Sequence, residues 1–181
     1  NCMKQTNLVL TGNVELIESH KHNLLLGHWC NNVIKKNINF STQEYHWSDL
    51  SKVKNDYIYL RDIYELFLNT LTIFLNNYHK VNHSKTYWRI IIGPWLLQSL
   101  CITFDRWETL QKSLKGNEYK IDEINIIRFD EEYLTSDDFN NFLKKMESHN
   151  WNHKIFFEII KEIKPNIKFI EKNFTKESNQ S

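Results

Sequence analysis

From Asp49 to His79 the chain contains neither proline nor glycine. Along it Tyr57, Leu60, Tyr64, Phe67, Leu68, Leu71, Phe74, Leu75 and Tyr78 recur three and four positions apart. That spacing gathers apolar side chains on one helical face and predicts a single long helix. Ser48 is placed to cap its start. A second helical run follows. Ser84 can cap a helix from Lys85, and Gly93-Pro94 is expected to kink or interrupt it. Periodicity resumes from Trp95 to Leu114, and Gly116 is placed like a C-cap.

Short apolar runs flank these helices. Asn7–Thr11 and Asn23–Cys30 have strand length, and their continuous apolarity suits strands covered on both faces of a parallel sheet. Gly27 suggests a tight passage out of the second strand, delivering the next residues to the sheet's carboxyl edge. Asn32–Lys36 reads as a short helix and Tyr45–Trp47 as a third strand. Ile121–Phe129 is the fourth, with Ile124–Phe129 its core. Ser136 is placed to cap the helix in DDFNNFLKKMES, and Trp151–Ile163 forms a last helix ended by Pro165. The order predicts an α/β fold, a small parallel sheet of three to four strands packed with several long helices. It reads as one domain over 1–172 with a polar tail at 173–181, and so small a sheet also suits one Rossmann-like half of a two-domain protein.

A formal charge of +1 argues against a phosphate-backbone binder, so no nucleic-acid partner is expected. Cys2, Cys30 and Cys101 form no CxxC pair and no disulfide framework, which fits a reducing cytoplasm. No run reaches the ~20 apolar residues that span a bilayer. A cytoplasmic location is expected, with peripheral membrane association left open.

Glycine-rich phosphate loops, GxSxG and HExxH are all absent. The binding candidates are polar and aromatic groups beside apolar runs. His28-Trp29 follows one strand candidate and His46-Trp47 closes another. Polar groups at strand carboxyl ends of open α/β sheets face the ligand crevice; the alternative is that the tryptophans pack as core and the histidines bond locally. In HSKTYWRIIIGPW (His83–Trp95), His83 and Arg89 are the candidate binding groups, while the Gly-Pro pair serves the fold. Arg89 and Arg106 either hold an anion or pair with a carboxylate, Arg89 with Asp105 or Arg106 with another acid. His79 and His83 lie four apart, as zinc ligands on a helix would. No third ligand stands at a telling spacing, and no metal is expected. Glu131, Glu132, Asp137 and Asp138 read as charges around a helix start, and Asn150–His153 as a turn and cap.

Seven blocks in order, LLLGHWC, YHWSD, DYIYLRDIYELFL, HSKTYWRIIIGPWL, FDRWETL, DDFNNF and WNH, carry a family resemblance. Over about Leu8 to Ile163 the chain resembles the N-terminal part of a family of transferases from bacterial surface-polysaccharide loci of the O-antigen and capsule type. HSxxYWRxxxGPW is the most specific block. His28 departs from the pattern, standing where an acidic residue is usual. The resemblance implies a two-domain, glycosyltransferase-like architecture whose N-terminal half holds a carbohydrate or glycolipid acceptor. A C-terminal domain, missing here, would hold a nucleotide-sugar donor, and this domain alone would bind no cofactor.

On that basis the substrate-binding set is His28, Trp29, His46, Trp47, His83, Arg89 and Arg106, gathered at one crevice on the sheet rim, with the catalytic residues unassigned. Two other readings compete: a non-catalytic module docking through helix faces, and a small stand-alone α/β enzyme using histidine as acid and base.

Overall fold

A computed structural model describes residues 5–116, 119–163 and 166–173, so Cys2, Pro165 and nearly all of the expected tail lie outside the described residues. The residues expected to form one domain group into two compact units. His46–Asp105 is a helical hairpin, and the rest of the chain is a sheet unit.

The sheet unit holds five parallel strands: β1 (Gln5–Val9), β2 (His22–Leu25), β3 (Phe40–Thr42), β4 (Lys120–Ile126) and β5 (Lys168–Glu171), in the order β3-β2-β1-β4-β5. Four helices complete the fold: α1 (Leu50–His79), α2 (Lys85–Lys115), α3 (Phe139–Met146) and α4 (His149–Ile163). This is the expected α/β class with one strand more. The added strand is β5, an exposed edge strand whose four residues leave almost no apolar signal.

Side chains alternate across β1, β2 and β4. Leu8, Leu10, Leu24, Leu26, Ile124 and Ile126 build one face, packed by Leu110 of α2 and by Phe156, Ile159 and Ile160 of α4. The opposite face carries Val9, Leu25 and Ile127 around Leu16, Cys30 and Phe129, with Asn7, Asn23 and Asn125 buried beside them. These amides answer a local need. The β1–β2 connection contains only the 3-10 turn Val14–Leu16, so no helix lies there with its own carbonyls already bonded. Asn7 Nδ2 donates to Leu16 O at 2.8 Å and to Asn23 Oδ1 at 2.9 Å. Asn125 Nδ2 reaches Leu16 O and Glu18 Oε1 at 3.0 Å each, and Asn23 Nδ2 reaches Glu18 O at 2.7 Å.

Three local expectations are corrected. The third strand is Phe40–Thr42, paired with Asn23–Leu25, whereas His46–Ser48 is a 3-10 turn leading into α1. Tyr45–Trp47 looks strand-like only because His46 buries individually, against Asp105. Asn32–Lys36 is no helix; the chain instead winds a 3-10 turn over His28–Val33. Two helix starts also move, because an aspartate accepts the orphan N–H in each. Asp49 rather than Ser48 caps α1 through Ser51 N at 2.8 Å, and Asp138 rather than Ser136 caps α3 through Asn141 N at 2.7 Å.

In the hairpin, α2 begins as expected, with Ser84 Oγ accepting from Tyr87 N at 3.2 Å. Gly93-Pro94 does not interrupt it. Pro94 lacks an N–H and so leaves the Ile90 carbonyl without a helical donor, but Ile90 is on the water-exposed side. Gly93 has a packing role: a Cβ there would stand 2.6 Å from the Tyr64 hydroxyl of α1. The two helices close over Leu68, Trp88 and Leu96. Asn76 fastens their turn, its Oδ1 accepting from His83 N at 3.0 Å and Trp88 Nε1 at 2.9 Å.

Replacing Asn23 by leucine removes one of the two acceptors of the Asn7 amide and both side-chain partners of the Glu18 backbone. Urea unfolding of Asn23→Leu should show a loss of about 2 kcal/mol or more. An unchanged midpoint would mean that the buried amides do not hold the connection.

Candidate functional site

In the strand order β3-β2-β1-β4-β5 the chain steps from β1 to one side and later returns to the other, so the order reverses between β1 and β4. Ligands of open parallel sheets sit outside the carboxyl ends at such a point. Thr11–Asn13 follow β1 there, Gly27–Trp29 follow β2, and Ile127 follows β4.

A directed hydrogen-bond chain ties this edge to the first turns of α4. His153 is fully buried, and its Nε2 accepts from Ile127 N at 2.9 Å. The proton therefore resides on Nδ1, which faces Thr11 Oγ1 at 3.2 Å. The Thr11 hydroxyl donates onward to Asn13 Oδ1 at 2.8 Å, and Asn13 Nδ2 to Asn150 Oδ1 at 3.0 Å. Gly12 N points at His149 Nδ1, 3.4 Å away. Burial holds the His153 pKa down at about 4, below its ordinary 6.5, so the imidazole is neutral.

Trp29 and Arg106 form the next layer. Gly27 is extended, and a Cβ on it would fall 2.2 Å from the Trp29 ring, so only glycine admits the indole at this place. The indole Nε1 donates to Leu10 O at 3.2 Å. The Arg106 guanidinium lies 5.8 Å from the Trp29 ring and 5.7 Å from the Phe156 ring, while Nε and Nη2 donate to Asn152 Oδ1 at 2.9 and 2.7 Å. Asn152 Nδ2 is turned to Met146 O at 2.7 Å.

Beside the carboxyl end of β3 the sheet unit opens a cavity of about 430 Å³, lined by Leu24, Thr42, Gln43, Glu44, Lys112, Ser113, Gly116 and Tyr119. Gln43 is fixed, donating through Nε2 to Thr109 O at 2.9 Å and accepting from the Ser113 hydroxyl. Tyr119 stacks on His22 at 5.3 Å and accepts from Ser41 Oγ at 3.0 Å. Lys112 and Glu44 stand 3.5 Å apart, both well exposed, so solvent weakens their pairing. The cavity thus offers hydroxyl and amide groups, a tyrosine and one charge of each sign.

The predicted residues are divided between the units. His28, Trp29 and Arg106 belong to the sheet unit and His46, Trp47, His83 and Arg89 to the hairpin. His28 is exposed, its Nδ1 facing Asn31 Nδ2 at 3.3 Å. His46 is buried with Nε2 2.9 Å from Asp105 Oδ1, and Trp47 Nε1 donates to Asp56 Oδ2 at 2.8 Å. Arg89 is paired, but not with Asp105. It forms a two-bond contact with Glu65, at 2.6 and 3.0 Å. Arg89, with Lys85, holds the exposed Glu65 carboxyl down near pKa 2.

The single crevice expected for His46, His83 and Arg89 is corrected. His46 precedes α1 and His83 follows it, and a helix of 30 residues keeps them about 45 Å apart. The turn also engages His83, which stacks on Tyr87 at 4.0 Å. Sequence reasoning missed His149, Asn152 and His153. Their spacing of three and four along one helix face is the available signal, whereas in the sequence Asn150–His153 reads as a turn and cap and His149 is left out.

These features define a parallel α/β unit with a polar network at the carboxyl ends of β1 and β4 and a separate cavity that runs beside β3 from Tyr119 to Gln43. The profile of the LIC12162 family transferase matches residues 6–181, and the chain belongs to that family of transferases. No curated protein and no solved structure matches the chain.

Two measurements probe the edge. Gly27→Ala drives a methyl into the indole and should cost about 1–3 kcal/mol while shifting tryptophan fluorescence; retained stability and spectrum would contradict the packing. The pH test rests on the depressed His153 pKa. Unfolded chains bind the proton first as pH falls through 6.5, so stability is complete above that value and declines toward pH 4. The part due to His153 should be about 3 kcal/mol. It is read as the difference in urea-derived stability between pH 7.5 and pH 4, and His153→Gln should flatten that slope.

Proposed function

We propose that the sheet unit is the acceptor-binding half of a glycosyltransferase-like transferase working in bacterial surface-carbohydrate assembly. The nucleotide-sugar donor would be held by a further C-terminal domain, and the location would be cytoplasmic. The observation that carries this reading is the 430 Å³ cavity beside β3. Its volume falls in the range of small-ligand sites, about 300–1,000 Å³. Hydroxyls of Thr42 and Ser113, the Tyr119 side chain and the Lys112–Glu44 rim suit a polyhydroxylated ligand that offers donors and acceptors on every side. Membership of a transferase family supports a ligand that takes part in group transfer, and in this reading it is the acceptor.

Within this reading Trp29, Arg106 and Asn152 form the platform that fixes the edge, and the cavity does the binding. His28 faces water beside them and would touch only a long acceptor.

Saturation-transfer NMR with a neutral disaccharide, and separately with a uridine diphosphate sugar, tests the assignment. The disaccharide should bind weakly, and Lys112→Ala combined with Glu44→Ala should weaken it at least tenfold, or about 1.4 kcal/mol. Unaltered disaccharide binding in the double variant, or preferential capture of the nucleotide sugar by the same cavity, would overturn it.

A further inference from the structure

The hairpin exposes far more apolar surface than its own packing uses. No Asp, Glu, Lys or Arg occurs from Leu66 to His79 on α1 or from Ile90 to Phe104 on α2. Two helix positions rotate by about 200°, so Glu65 and Phe67 point to opposite sides of α1, as Arg89 and Ile91 do on α2. The polar side is ion-paired, with Glu65 held by Arg89 and by Lys85, each at 2.6 Å.

The other side is apolar across both helices. Phe67, Phe74 and Tyr78 of α1 are 46, 58 and 72% exposed, and Tyr87, Ile91 and Trp95 of α2 are 41, 57 and 44% exposed. The Tyr64–Gly93 and Asn76–Trp88 contacts set the antiparallel register, which brings Phe67 level with Ile91 and Phe74 level with Tyr87. The six therefore form one stripe rather than scattered exposed residues. At 150–250 Å² for a full aromatic side chain, they leave on the order of 600 Å² in water. One partner in a standard interface contributes about 800 Å². Leu66 and Ile73, 58 and 65% exposed on the adjoining side of α1, supply the remainder.

We propose that this stripe pairs with the same stripe of a second copy, closing a four-helix bundle about a two-fold axis. The charge pattern selects this occupant. A stripe without charges neither repels its own image nor calls for a partner of opposite sign. A helix lying on a lipid surface would carry unpaired lysines and arginines on its polar side, whereas here Arg61, Lys85 and Arg89 are each ion-paired, the first to Asp62 and the other two to Glu65.

Sedimentation velocity of the whole chain across a concentration series tests the pairing. The chain should sediment as a dimer at micromolar concentration. Ile91→Glu and, separately, Tyr78→Lys should each weaken association at least a hundredfold with helical circular dichroism retained. Tyr78 is so exposed that its substitution leaves the hairpin core alone. Arg61→Ala, on the Glu65 side of α1 and away from Phe67, Leu66 and Ile73, should leave the dimer intact. A monomer at every concentration, a dimer indifferent to both stripe substitutions, or flotation of the wild-type chain with phosphatidylcholine–phosphatidylglycerol vesicles would overturn the proposal.

Discussion

The sheet unit depends on one neutral imidazole. His153 accepts a backbone N–H from the end of β4 and offers its remaining proton to the end of β1, so one side chain on α4 spans the junction where the strand order reverses. Neither bond could be replaced by water, because the site is sealed, and protonation breaks the first of them by putting an Nε2 donor against the Ile127 N–H. The rest of the edge follows from that anchor. Asn13 is oriented by Thr11, Asn150 by Asn13, and Asn152, two positions further along α4, is left to receive Arg106. A buried polar network with every link directed tolerates few alternative arrangements and so specifies the edge.

The two units use polarity in opposite ways. In the sheet unit polar groups go inward, where three buried asparagines stand in for a missing helix and hold the β1–β2 connection. In the hairpin the Glu65 pairs with Arg89 and Lys85 stay at the surface over an interior of Leu68, Trp88 and Leu96, and the buried His46–Asp105 contact is the exception. Buried amides fix a geometry to which a ligand site can be referenced. An apolar stripe left in water fixes nothing by itself and is completed only by something else.

What was legible in the sequence follows the same division. Periodicity found α1 and α2 at once, because helices this long repeat their signal many times. Apolar runs located β1, β2 and β4, which are covered on both faces, but not β3 and β5, whose edge positions require few apolar residues. The capping residues were misplaced by one or two positions because serine and aspartate compete for the same role over so short a distance. The candidate site was the least legible part. Arginine and histidine beside apolar runs were identified correctly as groups needing partners, yet the partner is a property of the fold. Arg89 met Glu65, 24 positions back along the chain, and His46 met Asp105, 59 positions ahead. No spacing rule reaches across such separations.

This bears on whether the chain works as a small enzyme with histidine as acid and base. That reading needs an imidazole with a perturbed pKa that a substrate can reach. His153 has the perturbation without the access, since its Nε2 lone pair is taken by Ile127 and no part of it meets solvent. His28 has the access, standing exposed beside Asn31 where water reaches it. A catalytic histidine combines both properties in one residue, and neither His153 nor His28 does so. Among the described residues that line the cavity beside β3 there is no histidine, so an acid–base reading would draw its imidazole from elsewhere and finds no support in that cavity.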